Sequence, residues 1–480
     1  MRPSRFRSAR WVSGAIAVCA ALLLGVRLIA VGTPSVRAQD FSTNTPVPPP
    51  AFPTNTNAPS LTPIPATEMP SATPTASPTP SPSPTATATP TFTPSPTPTV
   101  VGPAQYPDGF NPLTGLPYPD QAAADRRNLL VKISNYPPIV RPQSGINAAD
   151  VVYEYEVEGG VTRLAAIYRS QTPSRVGPVR SGRLTDLELV PMYQALFAYS
   201  GASDPVTALF RQTDWWRLNA ISPSRGDNCE EAGFCRVERE GVAFEHTLYL
   251  DTNQAWARAT ARGVNTGYRA RGLAFSDVPD AGGTNVSAVK IEYYGQLTAD
   301  WLYQPETARY VRYTDGLAHF DAAENEQLWA DNVVIIEAEH IDRPDLFEPE
   351  SRSASHHIAL WGTGRAILLR DGMSYEGYWE RACDFRTYPE ATATPTPPPE
   401  APPRDCYANA GTALRLFYGD NTPMMMQPGR TWVMVTRWLN YVTLEETAPD
   451  LQATSDVITQ TPTVTPWGRP EATWTPTAGA

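Results

Sequence analysis

The chain has 480 residues, a formal net charge of -11 and 51 prolines beside 41% hydrophobic residues. An acidic balance excludes a protein that grips nucleic-acid backbones, since neutralising phosphates needs net positive surface. The prolines crowd towards the two ends, so the folded part is smaller than the whole but still rich enough in apolar residues to bury a core.

Arg2, Arg5, Arg7 and Arg10 precede an apolar run from Trp11 to Val26, the charged and hydrophobic regions of a secretory signal. Val36-Arg37-Ala38 before Gln39 predicts cleavage after Ala38. An uncleaved anchor over residues 1–38 is the competing reading, but Arg27 interrupts the run after about sixteen residues where a span wants roughly 20. Cys19 lacks the small preceding residue of a lipid-attachment site. Residues 39–103 are Thr, Pro, Ser and Ala with almost nothing to bury, and are expected to be a disordered stalk. At about 3.1 Å per residue in polyproline conformation it would reach on the order of 200 Å. The plainer reading is a leader with no task. A similar tail is expected over 447–480. Ala104 to Glu446 is long enough for two domains, expected at 104–245 and 246–446.

In the first of these, Leu129 to Ile133 reads as a strand. Val151 to Glu158 alternates, with Val151, Tyr153, Tyr155 and Val157 on one face and Glu154, Glu156 and Glu158 on the other. Gly159-Gly160 then predicts a two-residue hairpin turn, which would set Glu156 opposite Arg163 and Tyr155 opposite Leu164. From Arg163 to Arg183 the chain has five arginines (Arg163, Arg169, Arg175, Arg180 and Arg183) and no acidic residue. Thr185 and Glu188 have capping-box spacing, so a helix starting there would aim backbone N–H groups at Arg180 and Arg183 and complete an anion pocket. A strand at Leu196 to Tyr199 and a helix from Asp204-Pro205 to Phe210 follow, which makes a mixed sheet with helices packed on it. Beyond Glu245 one helix, Thr252 to Arg262, gives way to short strands at Ala288 to Tyr294, Arg309 to Tyr313, Asn332 to Glu337, Ala366 to Leu369, Leu414 to Tyr418 and Trp432 to Thr436. The second domain should be mostly β. The fold class is therefore α+β.

Four cysteines remain after the signal. In an exported chain they imply two disulfides with three pairings open, and proximity favours Cys229 with Cys235 and Cys383 with Cys406. The second pair would enclose a Pro/Thr insertion near 390–403. His246 reads as a structural histidine bonded to backbone before it reads as a general base. Ser203 reads as a helix N-cap before a nucleophile. His356 and His357 would point to opposite faces of a strand, so no metal is expected. No P-loop, dinucleotide fingerprint or H-E-x-x-H occurs, and no cofactor is expected.

Asn111-Pro112-Leu113-Thr114-Gly115, Arg141-Pro142-Gln143-Ser144-Gly145, Ala149-Asp150-Val151-Val152-Tyr153-Glu154, Val157-Glu158-Gly159-Gly160-Val161-Thr162-Arg163 and Val176-Gly177-Pro178-Val179-Arg180-Ser181 resemble the YerB-like envelope lipoprotein family. The likeness continues through His246-Thr247-Leu248-Tyr249 and Pro428-Gly429-Arg430-Thr431-Trp432 and covers roughly Gly109 to Thr436. It implies an exported, surface-held protein with an α+β first domain and a β-rich second one, and brings no established activity. The chain departs from the family in lacking a lipobox and in carrying the Pro/Thr insertion.

Together these features predict an extracytoplasmic cell-envelope binding or scaffold protein. Its ligand site is expected to comprise Arg180, Arg183, Arg163, Glu154, Glu158 and Asp186. The expected partner is an anionic cell-wall component or an envelope protein, with membrane contact only through an uncleaved N-terminus. The alternative is an enzyme on cell-wall glycan or a phosphorylated polymer precursor, in which Glu158 or Asp186 would move a proton.

Overall fold

The computed structural model describes residues 100–266, 272–293, 297–348, 352–381, 413–447 and 449. The expected secretory segment, residues 39–99 of the expected stalk, the Pro/Thr insertion, Cys383, Cys406 and nearly all of the expected tail lie outside the described residues, while Val100 and Val101, placed in the stalk by the sequence pattern, pair as a short strand with Ser276 and Phe275.

Strand β1 (Leu129–Ser134) is followed by the hairpin of β2 (Val151–Val157) and β3 (Val161–Tyr168). Then come helix α1 (Asp186–Met192), β4 (Leu196–Ala198), α2 (Asp204–Phe210), β5 (Ala220–Ile221) and α3 (Thr252–Ala261). Asp251 caps α3 by accepting from the Asn253 N–H, as an N-cap carboxylate does. Thereafter strands dominate: β6 (Thr284–Asn285), β7 (Ala288–Tyr293), β8 (Leu297–Gln304), β9 (Arg309–Thr314), β10 (Asn332–Glu337), β11 (His340–Glu348), β12 (Ser353–Ile358), β13 (Gly362–Arg370), β14 (Met373–Arg381), β15 (Arg415–Phe417), β16 (Thr431–Thr436) and β17 (Val442–Glu445). The first part is mixed α/β and the later part mainly strand, as the sequence pattern predicts.

Among the described residues the largest sheet has 11 strands in the order β6-β14-β13-β10-β16-β2-β3-β1-β4-β5, with β15 on β14. It draws strands from both sides of residue 245. Most neighbours are antiparallel, but β16 lies parallel to both β2 and β10, and β4 lies parallel to both β1 and β5. A strand from late in the chain is thus the middle of the sheet.

Both faces of this sheet are covered, which is why every residue of β2 and β3 is buried. Val151, Tyr153, Tyr155, Ala165 and Ile167 pack with Leu189, Val190 and Met192 of α1 and Val206 and Phe210 of α2. On the opposite face Val152, Leu164 and Ala166 pack with Ala255 and Trp256 of α3 and with Ile291, Ala299 and Trp301 of β7 and β8. Trp301, Trp379 and Trp432 are fully buried core residues.

The hairpin register corrects the two-residue turn. Val157 pairs with Val161 and Tyr155 with Arg163, so Glu158-Gly159-Gly160 form a three-residue loop. Both glycines have positive φ, 84° and 69°, which suits a three-residue turn as well as a two-residue one. The observed register keeps Val157 and Val161 on the Tyr153/Tyr155 face and releases Glu158 from the ladder. One residue of slip moves each side chain to the other face, so Arg163 shares a face with Tyr155 and not with Glu154 or Glu156.

Candidate anion-binding site

The register builds a row of side chains across three strands: Ser134 of β1 pairs with Arg163 of β3, which pairs with Tyr155 of β2. One step along β1 on the same face stands Lys132. Arg163 is buried and its Nη1 donates to Ser134 Oγ at 3.2 Å, while its Nε has no hydrogen-bond partner. Among the described residues no carboxylate forms an ion pair with it. Burial, then Arg183 and Arg180, push its pKa well below the usual arginine range.

Arg180 is carried in by a loop that runs beside β1. Its N–H donates to Lys132 O at 2.9 Å, and Val179 N–H donates to Leu248 O at 2.7 Å. Gly177 permits this close passage, because its φ is +151° and a Cβ there would come 2.9 Å from Leu248 O. The Arg180 Nη1 donates to Glu245 O at 3.0 Å and its Nε is buried with no hydrogen-bond partner.

Arg183 is paired. Its Nε donates to Glu158 Oε2 at 2.6 Å, and Glu158 Oε1 also accepts from the His356 N–H at 3.2 Å. Burial would raise the Glu158 carboxyl, but Arg183 outweighs it and holds the group below its ordinary value. Asp186 is fully buried against Lys132, with Nζ to Oδ1 at 3.0 Å, and accepts from Tyr155 OH at 3.2 Å and from Arg183 N–H at 2.6 Å. Burial raises Asp186, opposed by Lys132, and burial lowers Lys132 to about 8, opposed by Asp186. Lys132 also contacts Tyr155 OH.

The cluster thus sets four cations, Lys132, Arg163, Arg180 and Arg183, against two carboxylates, Glu158 and Asp186. His246 borders it: its Nδ1 is buried with no hydrogen-bond partner, and burial and Arg180 lower its pKa. The expected side-chain bond from His246 to backbone is therefore absent at Nδ1.

Glu154 lies apart from the others, on the opposite sheet face, where it binds Arg312, Asn135 and Thr162. The arginine island also divides. Arg169 donates to Ala123 O and Ala124 O, closing a short helix, and Arg175 lines a separate cleft with Arg126 and Glu324.

The capping box is corrected. Thr185 has helical backbone angles and makes no side-chain cap bond; Glu188 instead binds Arg381 at 2.8 Å. The first N–H groups of α1, from Asp186, Leu187 and Glu188, donate to the carbonyls of Arg183, Leu184 and Thr185. No open helix end faces the arginines, so side chains alone make the positive field. Ser203 holds the N-cap position of α2, but its hydroxyl makes no cap bond. Cys229 and Cys235 form the expected disulfide.

Sequence reading missed Lys132, Tyr155 and Ser134. The signal for Lys132 was a lone charge inside the apolar run Leu129-Leu130-Val131-Lys132-Ile133, which in a buried strand demands a carboxylate partner.

Residues 113–265 match the N-terminal domain, and residues 289–394 the C-terminal domain, of a family described as protein of unknown function DUF3048. The chain is 28% identical over 284 residues to YerB of Bacillus subtilis (strain 168), a protein named as a lipoprotein, across 56% of this chain and 77% of that one. The crystal structure of YerB from Bacillus subtilis aligns with a TM-score of 0.53 at 21% identity, over 70% of this chain and 99% of that one. Its fold is shared. Among the described residues no helix is long and apolar enough to cross a membrane.

Proposed function

We propose that this chain, which belongs to the DUF3048 family of proteins of unknown function, is an extracytoplasmic binding or scaffold protein of the cell envelope that holds an anionic group at Arg163, Arg180 and Arg183. The observation that carries this reading is Arg163: a buried guanidinium with a hydroxyl for a partner and two further guanidiniums beside it. Such a charge is costly to bury, and a phosphate or carboxylate reaching the cluster would compensate it with charge-assisted bonds. The secretory pattern at the N-terminus, the Cys229–Cys235 disulfide and the likeness to a protein named as a lipoprotein support a place outside the cytoplasm.

The enzymatic alternative needs a carboxylate within reach of substrate. Asp186 and Lys132 have no exposed side-chain surface, and both Glu158 oxygens already accept hydrogen bonds. That weighs against proton transfer and for binding.

The test is a thermal-shift and calorimetric titration of the full chain with wall fragments, a teichoic-type glycerol phosphate polymer and nucleotides, beside Arg180→Ala. A phosphate-bearing ligand should stabilise the wild type and lose at least about tenfold in affinity in Arg180→Ala, roughly the 1.4 kcal/mol within reach of one charge-assisted bond. Equal stabilisation of both proteins would clear Arg180 of a binding role.

A further inference from the structure

We propose that Glu156, His340 and His356 form a binding site for a divalent transition metal, with zinc the best match to two imidazoles and one carboxylate. One ligand atom from each residue lies within 4.8 Å of the others, and His340 Nε2 is 3.7 Å from Glu156 Oε2. A tetrahedral ion with bonds of about 2.0–2.1 Å holds its ligand atoms roughly 3.3 Å apart, so small side-chain rotations suffice to close the set.

Strand register explains why the two histidines meet. His340 pairs with Ile358, and Asp342 pairs with His356, so His340 and His356 are diagonal neighbours on one face of the β11–β12 ribbon. His357 pairs with Ile341 on the other face, where it approaches Glu188. The sequence expectation that adjacent histidines diverge is correct. The partner of His356 comes instead from the next strand, and Glu156 comes from β2.

Hydrogen bonding fixes the chemistry of each ring. His340 Nδ1 lies 2.8 Å from Ala338 O, and His356 Nδ1 lies 2.9 Å from Asp342 Oδ1. Both acceptors require the proton on Nδ1, which leaves a bare lone pair on each Nε2, the orientation a metal-ligating histidine takes from its supporting acceptor. Those two Nε2 atoms and Glu156 Oε1 are all buried with no hydrogen-bond partner. Three buried acceptors without a hydrogen-bond partner, on residues whose ligand atoms lie within 4.8 Å of one another, make an arrangement that native interiors seldom leave uncompensated, and a cation is what satisfies all three. The His340 and Glu156 side chains are 1% and 2% exposed. Arg437 Nε donates to Glu156 Oε2 at 2.6 Å, which orients the carboxylate and leaves Oε1 without a hydrogen bond. Three protein ligands leave a further position for water or an external group. A bound ion would tie the β11–β12 ribbon to the central sheet, and the inference is independent of the anion reading above.

The experiment uses the full chain with its thiols oxidised, stripped with chelator and reloaded with Zn2+ or Co2+. The wild type should retain one equivalent of zinc by elemental analysis and, with Co2+, show the intense visible bands of four-coordination. His340→Gln and His356→Gln should each abolish retention, and His357→Gln should leave it unchanged. Asp342→Asn, at a residue exposed to solvent, should fold normally and lower affinity about 10- to 100-fold, the usual effect of removing an outer-shell partner. No retained equivalent in the wild type, or wild-type affinity in both histidine variants, would overturn the proposal. Should those variants fail to fold, a wild-type Co2+ spectrum of weak six-coordinate bands, or Asp342→Asn affinity equal to wild type, would overturn it as well.

Discussion

Glu154 of β2 and Arg312 of β9 stand 158 positions apart in the chain and form an ion pair at 2.7 Å with neither side chain exposed. The pair joins the central sheet to the smaller sheet of β7 to β9 packed on it. Breaking one partner strands the other charge in the interior, so Arg312→Met should cost about 3–5 kcal/mol in urea unfolding. Removing both charges, in Glu154→Gln with Arg312→Met, should recover much of that loss. A double variant no more stable than the single one would show that the Arg312 contacts with Trp301 and Trp432, and not the charge, hold this interface.

Arg163 makes the opposite prediction. Its charge is buried beside two other arginines, so Arg163→Gln should raise the melting temperature in anion-free buffer by a few degrees, about 1 kcal/mol or more, while removing the stabilisation conferred by a phosphate ligand. Paired calorimetric scans with and without ligand read both effects. A variant that melts lower in both buffers would mean that the guanidinium is simply structural.

The Lys132–Asp186 pair should be visible in alkaline stability. Folded Lys132 is lowered to about 8 from 10.5, so between those values the unfolded chain binds the extra proton and stability rises with pH. Asp186, raised from 3.8, acts at the acid end, where the folded form keeps its proton longer and the contribution is lost as pH rises. Urea midpoints from pH 7 to 11, compared with Lys132→Met/Asp186→Asn, should show the wild type gaining on the variant above about pH 8. A constant difference across that range would contradict a lowered lysine.

His319 predicts acid sensitivity. Its Nε2 lies 2.5 Å from Gln143 Oε1, and its Nδ1 accepts from Arg312 Nε, so the neutral ring is the form that fits. Burial, then Arg312, hold its pKa well below 6.5. As pH falls through 6.5 the unfolded chain takes up a proton that the folded ring refuses, and stability is lost. Melting temperatures from pH 7 to 4 should fall more steeply for the wild type than for His319→Gln, whatever the difference at neutral pH. Parallel curves would place the acid sensitivity elsewhere.

Much of the fold was legible because its signals are local. Alternation in Val151 to Glu158, proline at the start of α2 and the apolar run of β1 each name an element from neighbouring residues. What stayed hidden depends on distance along the chain. Gly159-Gly160 fits loops of either length, so register, and with it the face of Arg163, was decided by packing. His340 sits in a polar stretch with no periodic signal, and its meeting with Glu156 depends on pairings that no window of sequence contains. The buried partner of Lys132 was inferable in kind but not in identity, since Asp186 lies 54 positions away across a loop.

β16 also bears on how the chain is made. Residues 431–436 occupy the slot between β2 and β10, so a polypeptide emerging amino end first exposes two raw ladder edges until almost its last folded segment arrives. Edges of that kind recruit other strands, and closing them is a long-range and therefore slow step. Chains released short of Thr431 should clump, making β16 the lock that ends the vulnerable interval.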